Sequence, residues 1–327
     1  MEKFIRTCYP SSPLETWLIV LFKLAAVSYV VRILGFQLQT LWLFTVSDHK
    51  PLVYPMTMTG LLNLSAGLAL NEEAYRKQDL WSISRRLPAV IFWVWFNFLV
   101  FCVGNQRLPK SVEEDAINKP WRPVPSKRLS RNQATALWVA LQIAVLGGCT
   151  HFGATSFTVT LLFLGWLYND CEGGSHPVAR NLINACAVVC FALGATTVAY
   201  GSDPFSLSEE GQFWQWMIAA IVFTTLQIQD LCDQDGDRCR GRNTIPLVFG
   251  DRVARWSVVV PMLWWSYMVP RFWETSWYGY LAPLVVGGLI CCRVLTLKDA
   301  QADRVTYKLW GVWITSLLAV PSMSSAH

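Results

Sequence analysis

Two clusters of acidic residues, each just after a long apolar stretch and each followed by Lys and Arg, are the residues best suited to chemistry. The first contains Glu113, Glu114 and Asp115; the second contains Asp230, Asp233, Asp235 and Asp237. Carboxylates at the mouth of a membrane-buried pocket can bind divalent cations, and neighbouring bases can bind a diphosphate. The two clusters therefore predict a site for a divalent cation and a diphosphate.

The second cluster has a regular spacing. Asp230, Asp233 and Asp237 stand at i, i+3 and i+7, so a helix continuing from the apolar stretch would carry them on one stripe. We expect Gly236 and Gly241 to break that helix, after which residues 240–244 can surround a phosphate with guanidinium and backbone N–H groups. The alternative, a solvated loop of mixed charge, is the usual fate of a charge run. The regular spacing beside an apolar stretch favours the site.

The first cluster follows an aromatic stretch. On a helix Asn105 shares a face with Phe98 and Phe101, which predicts an amide above an aromatic-walled shaft. Pro109 argues against an unbroken helix from Asn105 to Asp115. A basic loop resting on anionic lipid is the alternative, and it fits the bases at 127, 128 and 131 better than it fits residues 118–123.

The composition excludes a soluble domain and indicates an integral membrane protein, because 53% of the residues are hydrophobic, only 15% are charged and 17 are Trp. Nine apolar stretches are long enough to be predicted spans: 52–70, 88–105, 134–150, 154–168, 181–200, 213–230, 254–270, 278–295 and 306–322. Residues 14–36 form a further stretch, which carries Lys23 and Arg32 and is predicted to lie in the interface, a tenth span being the alternative. The predicted organisation is an N-terminal segment 1–50, a transmembrane domain 51–322 and a tail 323–327.

Loop charges predict the topology. Lys and Arg concentrate in the loops after the second, fourth, sixth and eighth predicted spans, so these loops are expected on the cytosolic side. Both acidic clusters lie in such loops and can converge on one site. An endoplasmic reticulum or other endomembrane location is expected.

The motifs resemble those of the UbiA family of intramembrane prenyltransferases. The resemblance rests on Asn105 with residues 114–126, on Asp230-x-x-Asp233-x-x-x-Asp237, and on Gly241-Arg242-x-Thr244-x-Pro246, and it covers about residues 50–322. It implies an all-α membrane protein with nine helices in a ring around a cavity, Mg²⁺ as cofactor, a prenyl diphosphate as substrate and no nucleic-acid partner. By the resemblance the metal positions are Asn105, Asp115, Asp230, Asp233 and Asp237, of which Asp115, Asp230 and Asp233 are expected to be catalytic. Lys119, Arg122 and Arg242 resemble diphosphate contacts.

The first motif departs from the family pattern Asn-Asp-x-x-Asp-x-x-x-Asp. Ser111 stands four residues before Asp115 and Leu108 stands seven before it, so we expect fewer metal ligands here, with Glu114 as a substitute. The loop after the fourth predicted span is expected to form a polar lid over the substrate, a plain turn being the alternative. Its candidate substrate contacts are Tyr168, Asn169, Asp170, Arg180 and Asn184.

The altered first motif and the Tyr-Asn-Asp sequence at residues 168–170 resemble those of a fungal branch of the family that includes terpene cyclases. The resemblance implies cyclisation of a prenyl diphosphate, with fifteen or twenty carbons, in secondary metabolism. Phe98, Phe101 and Phe223 are candidates to steady a carbocation by cation–π attraction. Transfer of the prenyl group to an aromatic or quinoid acceptor is the alternative. A transporter is a distant one, because the acids lie at span ends and not in mid-span.

Overall fold

The computed structural model describes residues 13–66, 80–201 and 208–324. The chain divides into two compact units, Met1–Leu43 and Phe44–His327. The described residues contain helices and no strand beyond the isolated bridge between Thr275 and Ser324. The all-α prediction is confirmed.

Thirteen α-helices occur in the described residues. They are α1 (Pro13–Thr45), α2 (Tyr54–Ala66), α3 (Leu80–Gln106), α4 (Pro109–Asn118), α5 (Arg131–Cys149), α6 (Thr155–Asn169), α7 (Pro177–Tyr200), α8 (Glu209–Thr225), α9 (Gln234–Arg240), α10 (Ile245–Phe249), α11 (Asp251–Phe272), α12 (Trp277–Thr296) and α13 (Ala300–Ala319). Short 3₁₀ segments follow several of them, at Thr150–Phe152, Gly173–Ser175, Leu226–Leu231 and Val320–Met323, and a π-helical turn covers His49–Val53.

The long helices of the second unit form a closed succession. α2 packs on α3, and α3 on α5; the order continues through α6, α7, α8, α11, α12 and α13, and α13 packs against α2. Each of the nine predicted apolar stretches overlaps one of these helices, although the stretches 213–230 and 306–322 end in 3₁₀ segments and residues 67–70 of the first stretch lie outside the description. The ring that the family resemblance implies is therefore present.

Five helices of the described chain are long and apolar enough to cross a membrane: Leu21–Thr45, Ser84–Gln106, Arg131–Phe152, Pro177–Tyr200 and Trp277–Thr296. The first of them overlaps the stretch predicted to lie in the interface, so by length and composition it meets the requirement of a span. The count of nine spans and the boundary at residue 50 stay predictions.

Tryptophan side chains join helices inside the bundle. The indole N–H of Trp93 donates to Thr158 Oγ1 at 3.2 Å, that of Trp310 to Thr225 Oγ1 at 3.1 Å, and that of Trp313 to Ser266 Oγ at 2.9 Å. Such bonds satisfy buried polar groups and tie neighbouring helices together. Several Trp therefore serve the core of the bundle.

The second acidic cluster does not lie on one continuous helix, so that prediction was wrong. α8 ends at Thr225, whose hydroxyl donates to Ile221 O at 2.6 Å, and Gln227 Nε2 donates to Thr224 O at 2.8 Å. Side chains thus take the carbonyls at the end of α8, and the chain continues as a 3₁₀ segment that carries Asp230. Asp237 lies on α9, which begins after Asp233.

Candidate active site

The two acidic clusters meet because α4 packs against α9. Asn118, the last residue of α4, donates from Nδ2 to Asp233 O at 3.0 Å, and its Oδ1 accepts from Gly236 N at 3.2 Å. A Cβ at Gly236 would lie 2.1 Å from Asn118 Nδ2, so only glycine fits there. The prediction that Gly236 breaks the helix is therefore wrong: Gly236 lies inside α9 and leaves room for the Asn118 side chain. Gly241 does end α9, with φ +77°.

The basic residues that follow each acidic cluster form ion pairs with the acids of the other cluster. Lys119 of the first binds Asp233 of the second, with Nζ 2.8 Å from Oδ2. Glu114 of the first binds two guanidinium groups of the second, Arg240 Nη1 at 3.0 Å and Arg242 Nη1 at 2.9 Å. Each cluster therefore supplies the counter-charge of the other, which requires one common site.

Arg180 on α7 joins the site from the opposite wall. Its Nη2 donates to Asp230 Oδ1 at 2.6 Å, and its Nη1 donates to the Tyr168 hydroxyl and to Gly174 O, the latter at 3.4 Å. Arg180 is 5% exposed and Asp230 is 1% exposed. A buried charge of this kind needs its partner, so the pair fixes the 3₁₀ segment relative to α7.

Asp48 is a site residue that the sequence did not reveal. Its Oδ2 lies 3.6 Å from Arg122 Nη2, while Arg122 Nη1 binds Asp115 Oδ1 at 2.8 Å. Arg122 is thus held between two carboxylates. Asp48 lies in the segment before the predicted catalytic domain and outside both acidic clusters. Its one sequence signal is a lone acid directly after an apolar stretch.

Among the described residues, two buried carboxylate oxygens have no hydrogen-bond partner. They are Asp115 Oδ2 and Asp237 Oδ2. Burial raises the pKa of Asp237 to about 7, with the carboxylate of Asp230 adding to the rise and Arg180 opposing it. Burial also raises the pKa of Asp115, against the effect of Arg122. In each acid, one carboxylate oxygen pairs with an arginine, at 2.8 Å in Asp115 and at 3.2 Å in Asp237, and the other oxygen has no partner among the described residues.

Asp233 differs from these two acids. Burial by itself would raise the pKa of Asp233, but the ammonium group of Lys119 holds it below the usual range. Asp233 is therefore a stably charged carboxylate, and it is one that lines the cavity.

These residues fit a divalent cation in chemistry. Mg²⁺ prefers hard oxygen ligands and is commonly held by one or two carboxylates together with substrate phosphates. The unpartnered oxygens of Asp115 and Asp237 are of the type that Mg²⁺ prefers, but neither residue lines the cavity, whereas Asp233 and Asn105 do. No group of three or more His, Cys, Asp or Glu in the described residues is already arranged to hold a metal. The protein thus supplies part of a coordination shell, which substrate oxygens would have to complete.

A cavity extends from the charged site between the helices and encloses ≈ 1410 Å³ of unfilled space, part of it open to the surroundings. At the charged end it is lined by Lys119, Arg122, Arg180 and Arg242, together with the carboxylates of Asp48, Glu114 and Asp233. The remainder is largely apolar, with Phe98, Phe101 and Phe191 in its wall. This combination suits an amphiphile with an anionic head and a hydrocarbon tail.

Aromatic rings lead from the charged end into the apolar part. Tyr168 and Phe101 have centroids 5.3 Å apart, Phe101 and Phe98 are 6.1 Å apart, and Phe98 and Phe191 are 6.3 Å apart. The series starts at Arg180, to which the Tyr168 hydroxyl is bonded. Aromatic side chains therefore lie between the arginines and the apolar part of the cavity, where aromatic rings are able to attract a positive charge.

Some of the predicted lid residues line the cavity and others do not. Asn169 Oδ1 accepts from Asn105 Nδ2 at 2.8 Å, and both line the cavity, as does Asn184. Asp170 forms an ion pair with Arg107 and does not line the cavity. Glu172, further along, pairs with Lys110 at 2.9 Å. The loop is therefore attached to the α3–α4 region by two ion pairs.

Phe223 does not belong to the cavity, and its prediction as an aromatic of the shaft is corrected. Its side chain is 38% exposed and lines a groove on the outside of the bundle. The reason is its place on the helix: Ile221, Val222 and Thr225 form the buried face of α8, and Phe223 lies on the opposite, exposed face.

The model of the UbiA prenyltransferase family matches residues 78–312. This range contains both acidic clusters and the loop between α6 and α7. The chain belongs to the UbiA prenyltransferase family. As a UbiA protein with several apolar helices it is an integral membrane protein.

Two curated UbiA relatives are terpene synthases by name. The chain is 30% identical over 285 residues to fumagillin β-trans-bergamotene synthase of Aspergillus fumigatus, covering 87% of this chain and 92% of the relative. It is 25% identical over 292 residues to somaliensene A/B synthase of Streptomyces somaliensis, covering 86% and 92%. A solved structure of digeranylgeranylglyceryl phosphate synthase superposes with a TM-score of 0.53 at 16% identity, covering 88% of this chain and 98% of that one. At this identity the superposition supports the UbiA fold alone.

Proposed function

We propose that this UbiA protein is a divalent-metal-dependent enzyme that ionises a prenyl diphosphate and cyclises the resulting cation to a terpene. The observation that carries the proposal is the joining of an arginine- and lysine-rich site to an apolar shaft by a series of aromatic rings. The similarity to two terpene synthases supports the choice of cyclisation. We propose fifteen or twenty carbons as the length of the substrate.

The bases hold the leaving group in this proposal. Lys119, Arg122, Arg180 and Arg242 line the charged end and donate to the diphosphate oxygens. Asp115, Asp230, Asp233 and Asp237 would hold Mg²⁺, with Asn105 at the edge of the shaft. When bound, the cation neutralises charge that develops on the departing diphosphate. Glu114 is better suited to holding Arg240 and Arg242 than to binding metal, because both of its oxygens are engaged.

The shaft determines what happens to the carbocation. The C–O bond of the ester breaks and its electron pair leaves with the diphosphate. A double bond of the same chain then attacks the cation and closes a ring. Tyr168, Phe101 and Phe98 can each steady the charge by cation–π attraction, about 2 kcal/mol when desolvated. Loss of a proton gives a hydrocarbon, and capture of water gives an alcohol.

Product analysis tests the proposal. The purified protein in nanodiscs is incubated with Mg²⁺ and with ten-, fifteen- or twenty-carbon prenyl diphosphates without an acceptor, and the organic extract is analysed by gas chromatography and mass spectrometry. We expect a cyclic hydrocarbon or alcohol from the fifteen- or twenty-carbon substrate. A prenylated product that forms only when an aromatic acid or quinol is added would establish a transferase instead.

We further propose an endomembrane location, in the endoplasmic reticulum or a related compartment, with the site open to the cytosol. The Lys and Arg content of the loops around Ser126 and Asn243 supports this orientation. Single Cys labels at these two positions should react with a membrane-impermeant reagent from the cytosolic side. Reaction from opposite sides would contradict a single site.

A further inference from the structure

A second concave surface, the outer groove, lies on the outside of the bundle between α7, α8, α10 and α11. It shares none of its lining residues with the central cavity. Its walls are largely apolar and exposed, including Val178 at 55%, Val253 at 53% and Val260 at 61%. In a membrane protein a surface of this kind faces the hydrocarbon of the bilayer, and a groove in it accommodates a chain of similar chemistry.

One end of the outer groove carries an unpaired cation. Arg252 lines the groove, is exposed, and makes no hydrogen bond or ion pair with the described residues. Trp256 follows one helical turn later on α11 and is 48% exposed. Arg and Trp so placed are typical of the membrane–water interface, where the cation reaches the level of the headgroups.

The floor of the outer groove carries an unpaired acceptor. Asn181 is 3% exposed, and its Nδ2 donates to Phe223 O at 2.9 Å and to Gln227 Oε1 at 3.0 Å. Its Oδ1 is buried and has no hydrogen-bond partner. Because a buried acceptor without a donor is unfavourable, a ligand that brings an O–H or N–H to this point is favoured.

The walls of the outer groove are the outer faces of elements that hold the active site. Asn181 is adjacent to Arg180, and Gln227 lies in the same 3₁₀ segment as Asp230. α10 begins at Ile245, three residues after Arg242. Gln227 also donates to Ser257 O at 3.0 Å, which ties the 3₁₀ segment to α11. A molecule in the groove therefore packs against the supports of Arg180, Asp230 and Arg242.

We propose that the outer groove binds an anionic phospholipid of the surrounding membrane. The phosphate pairs with Arg252, a headgroup hydroxyl donates to Asn181 Oδ1, and an acyl chain lies along Val253, Trp256 and Val260. The apolar walls require a lipid chain, and the unpaired cation at the interface selects a negative headgroup. Bound lipid stabilises the arrangement of Arg180, Asp230 and Arg242 from outside.

Lipid binding is measured without turnover, so its outcome does not depend on the proposed function. The full chain in phosphatidylcholine nanodiscs is given a trace of photoactivatable phosphatidylinositol, and cross-linking to residues 249–260 is quantified by mass spectrometry. We expect Arg252→Gln to weaken binding about fivefold, as for one cation at a membrane surface. Val253→Trp, which fills the groove, should abolish cross-linking.

Arg131→Gln is the matched control, because Arg131 is an exposed arginine at the start of α5, outside the outer groove. It should leave cross-linking unchanged. Equal cross-linking in Arg252→Gln, Val253→Trp and the wild type would overturn the proposal. Displacement of the lipid by geranylgeranyl diphosphate, but not by unlabelled phosphatidylinositol, would also overturn it and assign the groove to a prenyl diphosphate.

The effect on activity is a separate arm that rests on the proposed function. Adding phosphatidylinositol to phosphatidylcholine nanodiscs should raise pyrophosphate release by the wild type and by Arg131→Gln, and not by Arg252→Gln. Equal stimulation of all three would overturn the link between groove and site. A protein that binds the lipid at the groove but releases no pyrophosphate in any membrane would instead refute the proposed function.

Discussion

The two acidic motifs occupy one site but contribute different things to it. The first, on α4 and the turn after it, gives the cavity the cations of Lys119 and Arg122, and the acid Glu114 faces two arginines. The second gives the cavity the carboxylate of Asp233, while Asp230 pairs with Arg180 and Asp237 pairs with Arg242. Where the family pattern has an acid the first motif has Ser111, which accepts from Arg240 at 2.7 Å. The difference teaches that the first motif binds arginines of the second motif at the position where the family pattern has an acid.

The largest expected effect is at the carboxylate that the second motif presents to the cavity. Asp233→Asn removes a charge that lines the cavity and pairs with Lys119, and we expect pyrophosphate release to fall by about 10²–10³-fold. Asp235→Asn is the matched control, because the Asp235 side chain is 82% exposed and pairs only with Arg238 of its own helix turn. Its turnover should stay near that of the wild type. Equal losses in both variants would remove the distinction between the two acids.

The contact that joins the motifs is tested by Gly236→Ala. A Cβ there would lie 2.1 Å from Asn118 Nδ2, so either the Asn118 side chain must leave its two hydrogen bonds or α9 must move away from α4. We expect a stability loss of about 1–3 kcal/mol, as for other overpacked sites, together with lower turnover. Thermal unfolding in detergent measures the former. Gly288→Ala on α12, where a Cβ has no neighbour within 4 Å, should be neutral, and equal destabilisation would contradict a specific contact at Gly236.

The cationic character of the first motif is tested by Lys119→Gln. Loss of one charge-assisted hydrogen bond costs about 1.5–3 kcal/mol, so we expect turnover to fall by roughly 10- to 150-fold. Lys110→Gln is the control, since Lys110 pairs with Glu172 at the surface, where both side chains are more than half exposed. Steady-state pyrophosphate release separates the two. If Lys110→Gln were as damaging as Lys119→Gln, binding of the diphosphate by Lys119 would not explain the loss.

The smallest effect is expected at Ser111. Ser111→Ala removes one hydrogen bond to Arg240, which keeps its ion pair with Glu114 at 3.0 Å. A single bond of this kind contributes about 0.5–1.5 kcal/mol, so turnover should fall by no more than about tenfold. A loss as large as that of Asp233→Asn would mean that Ser111 has a ligand role of its own.

The helices and the convergence of the motifs follow from local features of the sequence. Apolar stretches set the helices, and Pro109 starts α4 at its first position, where a missing N–H does no harm. The prediction of a continuous helix through Asp230 failed because α8 ends at Thr225 and the chain continues as a 3₁₀ segment, in which the Gln227 side chain bonds the carbonyl of Thr224. Such competition depends on rotamers and neighbours that spacing alone does not specify.

The site was predictable where residues of one motif act together, and not where distant residues do. Asp233 and Lys119 belong to recognisable patterns, but their pairing across 114 positions depends on how α4 and α9 pack. Asn118 is recognisable as part of a motif, but the sequence does not indicate that its side chain joins Asp233 to Gly236. Asp48 belongs to neither motif, and its proximity to Arg122 arises only from the fold of the second unit.

The central claim is that both motifs form one metal-dependent site that ionises a prenyl diphosphate without an acceptor. The most direct measurement is pyrophosphate release by the purified wild-type protein in nanodiscs, given farnesyl or geranylgeranyl diphosphate alone and titrated with Mg²⁺ before and after treatment with a chelator. The account predicts release that requires Mg²⁺, stops when the chelator is added and returns when Mg²⁺ is restored. Release that continues unchanged in the chelator, or none at any Mg²⁺ concentration until an acceptor is supplied, would contradict it.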